Sequence, residues 1–295
     1  MKKPVFKGSC TAICTPFLKN GEIDYASFGK MIDWQIAEGT QALVVMGTTG
    51  ENPVISDEEF EVIVKYAIDR VAKRIPVIVG TGRNDTRHSI KLSKLAKKLG
   101  GDAILVVTPY YNKSTQRGLV AHVSAIAESM DLPIVLYNVP SRTGISFTAE
   151  TYAELAKIPN VNGVKEASGN FGLILQTVSK CPEDFYIWSG NDDQIVPIMA
   201  LGGMGVISVL SNIAPKDTQT ICKHFFDGNV KKSAELQANY CDLIDALFVE
   251  TNPIPVKAAL AEMGKCEGTL RLPLVDIGDK ARQQLITAMK NHKLI

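Results

Sequence analysis

The run Val161-Asn162-Gly163-Val164-Lys165-Glu166-Ala167-Ser168 sets a lysine inside a segment otherwise suited to a buried strand. Taking an ammonium out of water costs several kcal/mol, so a lysine in such a place needs a chemical reason. Period-two alternation puts Gly163, Lys165 and Ala167 on one face and Val164 and Glu166 on the other. If the Lys165 face looks into a barrel lumen, the amine stands among small neighbours. Burial there favours the uncharged nucleophile that Schiff-base chemistry requires. The competing arrangement is a Lys165–Glu166 pair facing solvent at a strand end.

Other segments offer partner groups. Gly47-Thr48-Thr49-Gly50-Glu51 sets two hydroxyls between glycines, so side chains and backbone N–H groups can converge on one carboxylate; the plainer reading is an ordinary strand-to-helix turn. Tyr137-Asn138-Val139-Pro140-Ser141-Arg142-Thr143-Gly144 brings a phenol able to relay protons and a guanidinium able to fork onto a carboxylate. Otherwise Tyr137 bonds a carbonyl and Arg142 pairs with a surface acid. Tyr110-Tyr111, after Pro109, suits packing or an interface, and Gly190, Gly202, Gly203 and Gly205 let backbone approach a ligand. No GxGxxG follows a strand and no Walker loop occurs, so no nucleotide cofactor is expected. Asp192 and Asp193 read as caps of the following helix rather than metal ligands. The six cysteines lack CxxC spacing and read as reduced, buried or half-buried thiols, with Cys10 and Cys14 on one face of a strand and Cys222 in a helix.

Positioning such groups is the work of the elements around them. Eight strand-like runs occur, at Ser9–Thr15, Ala42–Gly47, Pro76–Gly82, Ala103–Pro109, Pro133–Pro140, Val161–Ser168, Phe185–Asn191 and Gly205–Asn212. Helical runs alternate with them, at roughly 27 residues per repeat, which predicts a closed (β/α)8 TIM barrel whose chemistry sits at the C-terminal strand ends. Ser56-Asp57-Glu58-Glu59 is a capping box with Ile55 and Phe60 as staple, opening a helix to about Val71. Asp85 or Asn84 caps the next helix, which Gly100-Gly101 ends, and Gly39 ends the first. Residues 1–227 are thus expected to form the catalytic barrel and 228–295 a C-terminal helical appendage, with helices near Val230–Val249, Pro255–Met263 and Gly278–Asn291.

The chain has 295 residues, 45% of them apolar, which excludes a disordered or disulfide-stapled protein. Its 32 Lys+Arg balance 31 Asp+Glu, leaving no field to hold nucleic acid or an anionic membrane. No long apolar run follows Met1-Lys2-Lys3-Pro4, so neither a signal peptide nor a spanning helix is read, and a cytoplasmic enzyme is expected.

Taken in order, GTTGE (Gly47–Glu51), TPYYN (Thr108–Asn112), YNVPSRTG (Tyr137–Gly144), VKEASG (Val164–Gly169), SGNDD (Ser189–Asp193) and GVISVLSN (Gly205–Asn212) closely resemble the dihydrodipicolinate synthases, within the pyruvate-dependent class I aldolase/lyase superfamily. The resemblance implies that Lys165 forms an imine with pyruvate, that Tyr137 donates and accepts protons, and that Thr48 and Tyr111 complete a relay. It implies further that Thr49 and Ile207 contact pyruvate with Gly190 nearby, and that Arg142 receives the carboxylate of aspartate 4-semialdehyde. No metal or organic cofactor is implied. The product would be 4-hydroxy-tetrahydrodipicolinate, on the route to diaminopimelate and lysine. In this family the tyrosine matching Tyr111 comes from the neighbouring subunit of a tight dimer, usually within a homotetramer built as a dimer of such dimers. His88 stands where many lysine-inhibited relatives carry an acid, in a dimer-interface pocket that would also include Asn52, Asn84 and Tyr110, so weak or absent feedback inhibition is expected. The rival readings are an N-acetylneuraminate lyase or 2-keto-3-deoxy sugar acid aldolase, against which Thr49 and Arg142 argue, and a non-catalytic pyruvate-binding barrel.

Overall fold

The computed structural model describes residues 1–295. Its eight parallel strands are β1 (Gly8–Ala12), β2 (Ala42–Val45), β3 (Val77–Gly80), β4 (Ala103–Val107), β5 (Ile134–Asn138), β6 (Val161–Glu166), β7 (Tyr186–Ser189) and β8 (Gly205–Ser208). They pair in chain order and close into a barrel. Around them lie α1 (Tyr25–Ala37), α2 (Asp57–Val71), α3 (Thr86–Leu99), α4 (Gln116–Glu128), α5 (Pro140–Thr143), α6 (Ala149–Leu155), α7 (Phe171–Lys180), α8 (Ile195–Ala200) and α9 (Pro215–Phe226). Closure depends on glycine. Gly205 (φ +129°) lies opposite Gly8, and a Cβ on Gly205 would stand 1.9 Å from the Gly8 carbonyl oxygen.

Alternation along the strands separates two apolar faces. Cys10, Val44, Leu105, Tyr137, Trp188 and Ile207 fill the lumen, whereas Leu43, Val79, Ile104, Leu136 and Val164 face the helices. Each fully buried Leu or Ile contributes about 1.5–3 kcal/mol of hydrophobic stabilisation. The cap of α2 forms as expected: Ser56 Oγ accepts from Glu59 N at 3.2 Å, and Glu59 Oε2 accepts from Ser56 N at 3.1 Å. Asp85 caps α3, which Gly100 ends at φ +96°.

Every strand stops two to four residues before its expected C-terminal limit. At that rim the backbone leaves the ladder and bonds turn side chains instead: Cys14 N donates to Asn212 Oδ1 and Ser168 N to Glu166 Oε1. Pro109 and Pro140 have no N–H to give. Cys10 and Cys14 therefore do not share a face; Cys10 is in the lumen and Cys14 in the outer core. Of the six unpaired cysteines, Cys241 is exposed rather than buried. Asp192 does not cap its own helix either. Its Oδ2 accepts from Val209 N and Leu210 N, capping the turn after β8, while α8 has Gln194 at its N-cap with no side-chain hydrogen bond there.

The helix expected over 230–249 is two, α10 (Val230–Asn239) and α11 (Cys241–Leu247), followed by α12 (Ile254–Glu262) and α13 (Asp279–Asn291). The break falls at Tyr240, whose buried ring stacks on His292 with centroids 4.4 Å apart. Position 227/228 marks the end of the strand–helix repeat, but the packing does not stop there. Leu243, Val256, Leu260 and Leu285 belong to the same apolar cluster as the helix-facing side of the barrel.

Candidate active site

Lys165 on β6 lies in register with Tyr137 of β5 and Trp188 of β7, two lumen residues. It is only 5% exposed, and its Nζ sits 4.4 Å from the centroid of the Tyr137 ring. No carboxylate comes within ion-pair distance of that nitrogen. Gly190 makes room for it, since a Cβ there would stand 2.7 Å from Ala167 Cβ and 3.2 Å from Lys165 Cε.

Glu166 points the other way, into the helix layer. It accepts from Ser168 N at 2.8 Å, Tyr152 Oη at 2.9 Å and Asn138 Nδ2 at 3.1 Å. Burial raises its pKa, and these donors oppose the rise. The solvent-facing Lys165–Glu166 pair is therefore absent. Asp192 is also buried, which raises its pKa, with the donors at Ser208, Leu210 and Val209 and the charge of Lys165 acting against that rise.

Above Tyr137 opens a cavity of about 230 Å³, walled by Thr48, Asn52, Arg83, Tyr110, Tyr137 and Arg142 among others. Thr48 and Thr49 lie on the short 3-10 turn Thr48–Gly50 after β2. Thr48 is half-buried, while Thr49 is buried and accepts from Asn252 Nδ2 at 3.0 Å. Arg142, in α5, donates through Nη2 to the Asn252 carbonyl at 2.9 Å. Ile207, on β8, lines the same lumen as Tyr137. Of the expected site residues, Thr48, Tyr137 and Arg142 wall this cavity; Lys165 lies in the lumen against the Tyr137 ring with Gly190 beside it, Ile207 lies in the same lumen, and Thr49 follows Thr48 on the turn. Tyr111 is not brought in. It is 92% exposed, with φ +69°, and does not line the cavity of its own chain. Nor does His88 line it; its Nε2 lies 2.8 Å from Asp57 Oδ1, and of its expected neighbours Asn52 and Tyr110 reach the cavity whereas Asn84 does not.

Two contributors escaped the sequence reading, both beyond residue 227. Asn252 bridges the Thr48–Gly50 turn and Arg142, and its only sequence signal is the Asn-Pro dipeptide in a loop. Lys257 is fully buried and pairs with Glu51, with Nζ–Oε1 2.5 Å, while also donating to Thr269 O at 2.6 Å. A lysine in the apolar stretch Ile254-Pro255-Val256-Lys257-Ala258-Ala259-Leu260 is the same anomaly that marks Lys165. No group of three or more His, Cys, Asp or Glu is placed to hold a metal ion. No helix is long and apolar enough to cross a membrane.

Comparison with known proteins supplies the family. The profile of the Dihydrodipicolinate synthetase family matches residues 5–292. The 4-hydroxy-tetrahydrodipicolinate synthase of Alkaliphilus oremlandii is 52% identical over 291 residues, covering 99% of this chain and 100% of its own. That of Acetivibrio thermocellus is 49% identical over the full length of both. The crystal structure of dihydrodipicolinate synthase from Thermotoga maritima superposes with a TM-score of 0.97 at 48% identity, covering 99% of this chain and 100% of that one. A lumen lysine beside a tyrosine, a paired-threonine turn and an arginine at the mouth, in a chain matched over its whole length, place this protein in the dihydrodipicolinate synthetase family.

Proposed function

We propose that this chain is a 4-hydroxy-tetrahydrodipicolinate synthase, a class I Schiff-base lyase that condenses pyruvate with aspartate 4-semialdehyde. Lys165 Nζ attacks the keto carbon of pyruvate, and loss of one water gives the protonated imine, an electron sink. The hydroxyls and backbone N–H groups of Thr48 and Thr49 hold the pyruvate carboxylate, with Ile207 and Gly190 against its body. Loss of a methyl proton, relayed through Tyr137 and Thr48, gives an enamine. Its carbon bonds to the aldehyde carbon of the second substrate, whose carboxylate Arg142 receives. The amine of that substrate then attacks the imine carbon, expels the Lys165 amine and closes the ring. The product feeds diaminopimelate and lysine synthesis.

Tyr111 fits this scheme as a relay member lent to a neighbouring subunit: an exposed aromatic held beside the mouth has no role in its own cavity. Phe171, Leu175 and Val178, exposed at 39%, 58% and 45%, share one face of α7 and support a second contact. The assembly is then a homotetramer built as a dimer of tight dimers. The cytoplasm suits its six unpaired thiols.

One observation carries the reading: an amine in the lumen, buried, against a tyrosine and free of any carboxylate. Borohydride reduction in the presence of pyruvate, followed by peptide mass spectrometry, should find the adduct on Lys165. Active protein with that lysine unlabelled would overturn the mechanism. Product formation with aspartate 4-semialdehyde, set against cleavage of sialic and 2-keto-3-deoxy sugar acids, tests the substrate.

A further inference from the structure

We infer that the N-terminal segment Lys2–Phe6 is a positioning element for Lys165, acting from the opposite end of the barrel through the stack of Phe6 on Trp188, a role that rests on the imine reading of that lysine. The segment runs across the N-terminal ends of β6 and β7, away from the mouth where the chemistry sits. Lys2 N donates to Asp184 Oδ2 at 2.9 Å, and Lys2 Nζ donates to the carbonyls of Ala156 at 3.0 Å and Val161 at 2.9 Å. Tyr186 Oη donates to Lys2 O at 2.6 Å, and Asn162 Nδ2 to Lys3 O at 2.8 Å. Val5 N reaches Asn162 Oδ1 at 3.3 Å. The segment is thus pinned to the two strands that carry Lys165 and Trp188.

Phe6 belongs to the apolar cluster of the lumen. It is 5% exposed, its ring stacks on Trp188 with centroids 5.1 Å apart, and its carbonyl accepts from Trp188 Nε1 at 3.2 Å. Trp188 is fully buried and lies in register with Lys165 on the adjoining strand. One residue therefore holds the indole both by its ring face and by its N–H, and that indole is the strand neighbour of the nucleophile. Lys165 Nζ stands against the Tyr137 ring with no carboxylate to fix it, so packing in the lumen sets where the amine rests. Any apolar side chain would keep water out of the barrel floor. A ring stack joined to an indole hydrogen bond does more, because it fixes the orientation of one lumen side chain. Attack on a keto carbon depends on such placement, since a shift of about 1 Å can cost on the order of a hundredfold in rate.

The test uses the full-length protein and follows the rate at which borohydride fixes saturating pyruvate onto Lys165, read by peptide mass spectrometry at a temperature where circular dichroism shows each variant folded. Phe6→Ala should label roughly tenfold more slowly than the wild type. Phe6→Leu, which keeps apolar volume without the stack, should fall between. Lys2→Met, which frees the segment from the Ala156 and Val161 carbonyls while leaving Phe6 in the chain, should also slow labelling and serves if Phe6→Ala does not fold. Ile32→Ala, in the helix layer, is the stability control: it should lower the melting temperature yet label at the wild-type rate. A wild-type rate in Phe6→Ala, or in Lys2→Met where Phe6→Ala is unfolded, or an equal slowing in Ile32→Ala, overturns the positioning role and leaves the imine chemistry standing. Absence of an adduct on Lys165 in the wild type strikes the chemistry and the positioning role together.

Discussion

Replacing Lys257 with methionine tests whether the C-terminal segment holds the paired-threonine turn in place. Both members of the Lys257–Glu51 pair are fully buried, 2.5 Å apart, and Glu51 follows directly on the Thr48–Gly50 turn. Removing the ammonium leaves a buried carboxylate whose only remaining donor is Arg271 N at 3.1 Å. Breaking one side of a buried pair costs about 3–5 kcal/mol, which lowers the melting temperature of a chain this size by roughly 5–15 °C. Glu51→Gln alone should cost a similar amount by stranding the lysine. In the double variant no uncompensated charge remains, so its loss should fall short of the sum of the singles by about 2 kcal/mol or more. Urea unfolding of all four proteins reads this coupling. At a temperature where each is folded, the singles should also show a higher KM for pyruvate and slower borohydride trapping, and the double variant should recover part of both. Additivity within about 0.5 kcal/mol, or single variants with unchanged trapping, would refute the idea that this pair acts as one unit on the turn.

Asn252→Ala removes the donor to Thr49 Oγ1, and the expected effect is a loss of about tenfold in kcat/KM for pyruvate, carried mainly by KM, in steady-state assays. Arg271 forks onto Glu59, with Nη1–Oε2 2.7 Å, and holds its carboxyl below the ordinary 4.5. The stabilisation is therefore present above about pH 4.5 and lost as pH falls through the lower folded-state value, so the difference in unfolding free energy between wild type and Glu59→Gln, about 1 kcal/mol at neutral pH, should vanish on acidification. Mixed oligomers of Tyr111→Phe and Lys165→Ala chains should recover activity that neither variant has alone; no recovery after verified mixing would place Tyr111 outside the relay. Because His88 is turned to Asp57 and presents no acid, micromolar L-lysine should leave the steady-state rate nearly unchanged, and potent inhibition would contradict this.

The barrel was legible in the residues because its signals are local. The capping box at Ser56 and the helix-ending Gly100 act within a few positions, and the strand runs state their own faces through alternation. Lys165 could be singled out the same way, since a charged residue among small and apolar neighbours at period two is an anomaly any buried strand must explain. What alternation could not say is which face of β6 looks inward. That follows only from closing eight strands, which sets Tyr137 and Trp188 on either side of the lysine. Strand ends were overrun for a related reason: where the ladder gives way to turns depends on side chains from other repeats, such as Asn212 reaching Cys14.

The longest-range features belong to tertiary structure alone. Asn252 meets Thr49 across 203 positions and Lys257 meets Glu51 across 206, and no local pattern encodes a partner that distant. The sequence determined which groups could do chemistry and what elements would carry them. The folded chain decided which of them converge, because a buried charge finds its partner through packing in space, and a tyrosine such as Tyr111 can be left outside a cavity whose rim it adjoins in sequence.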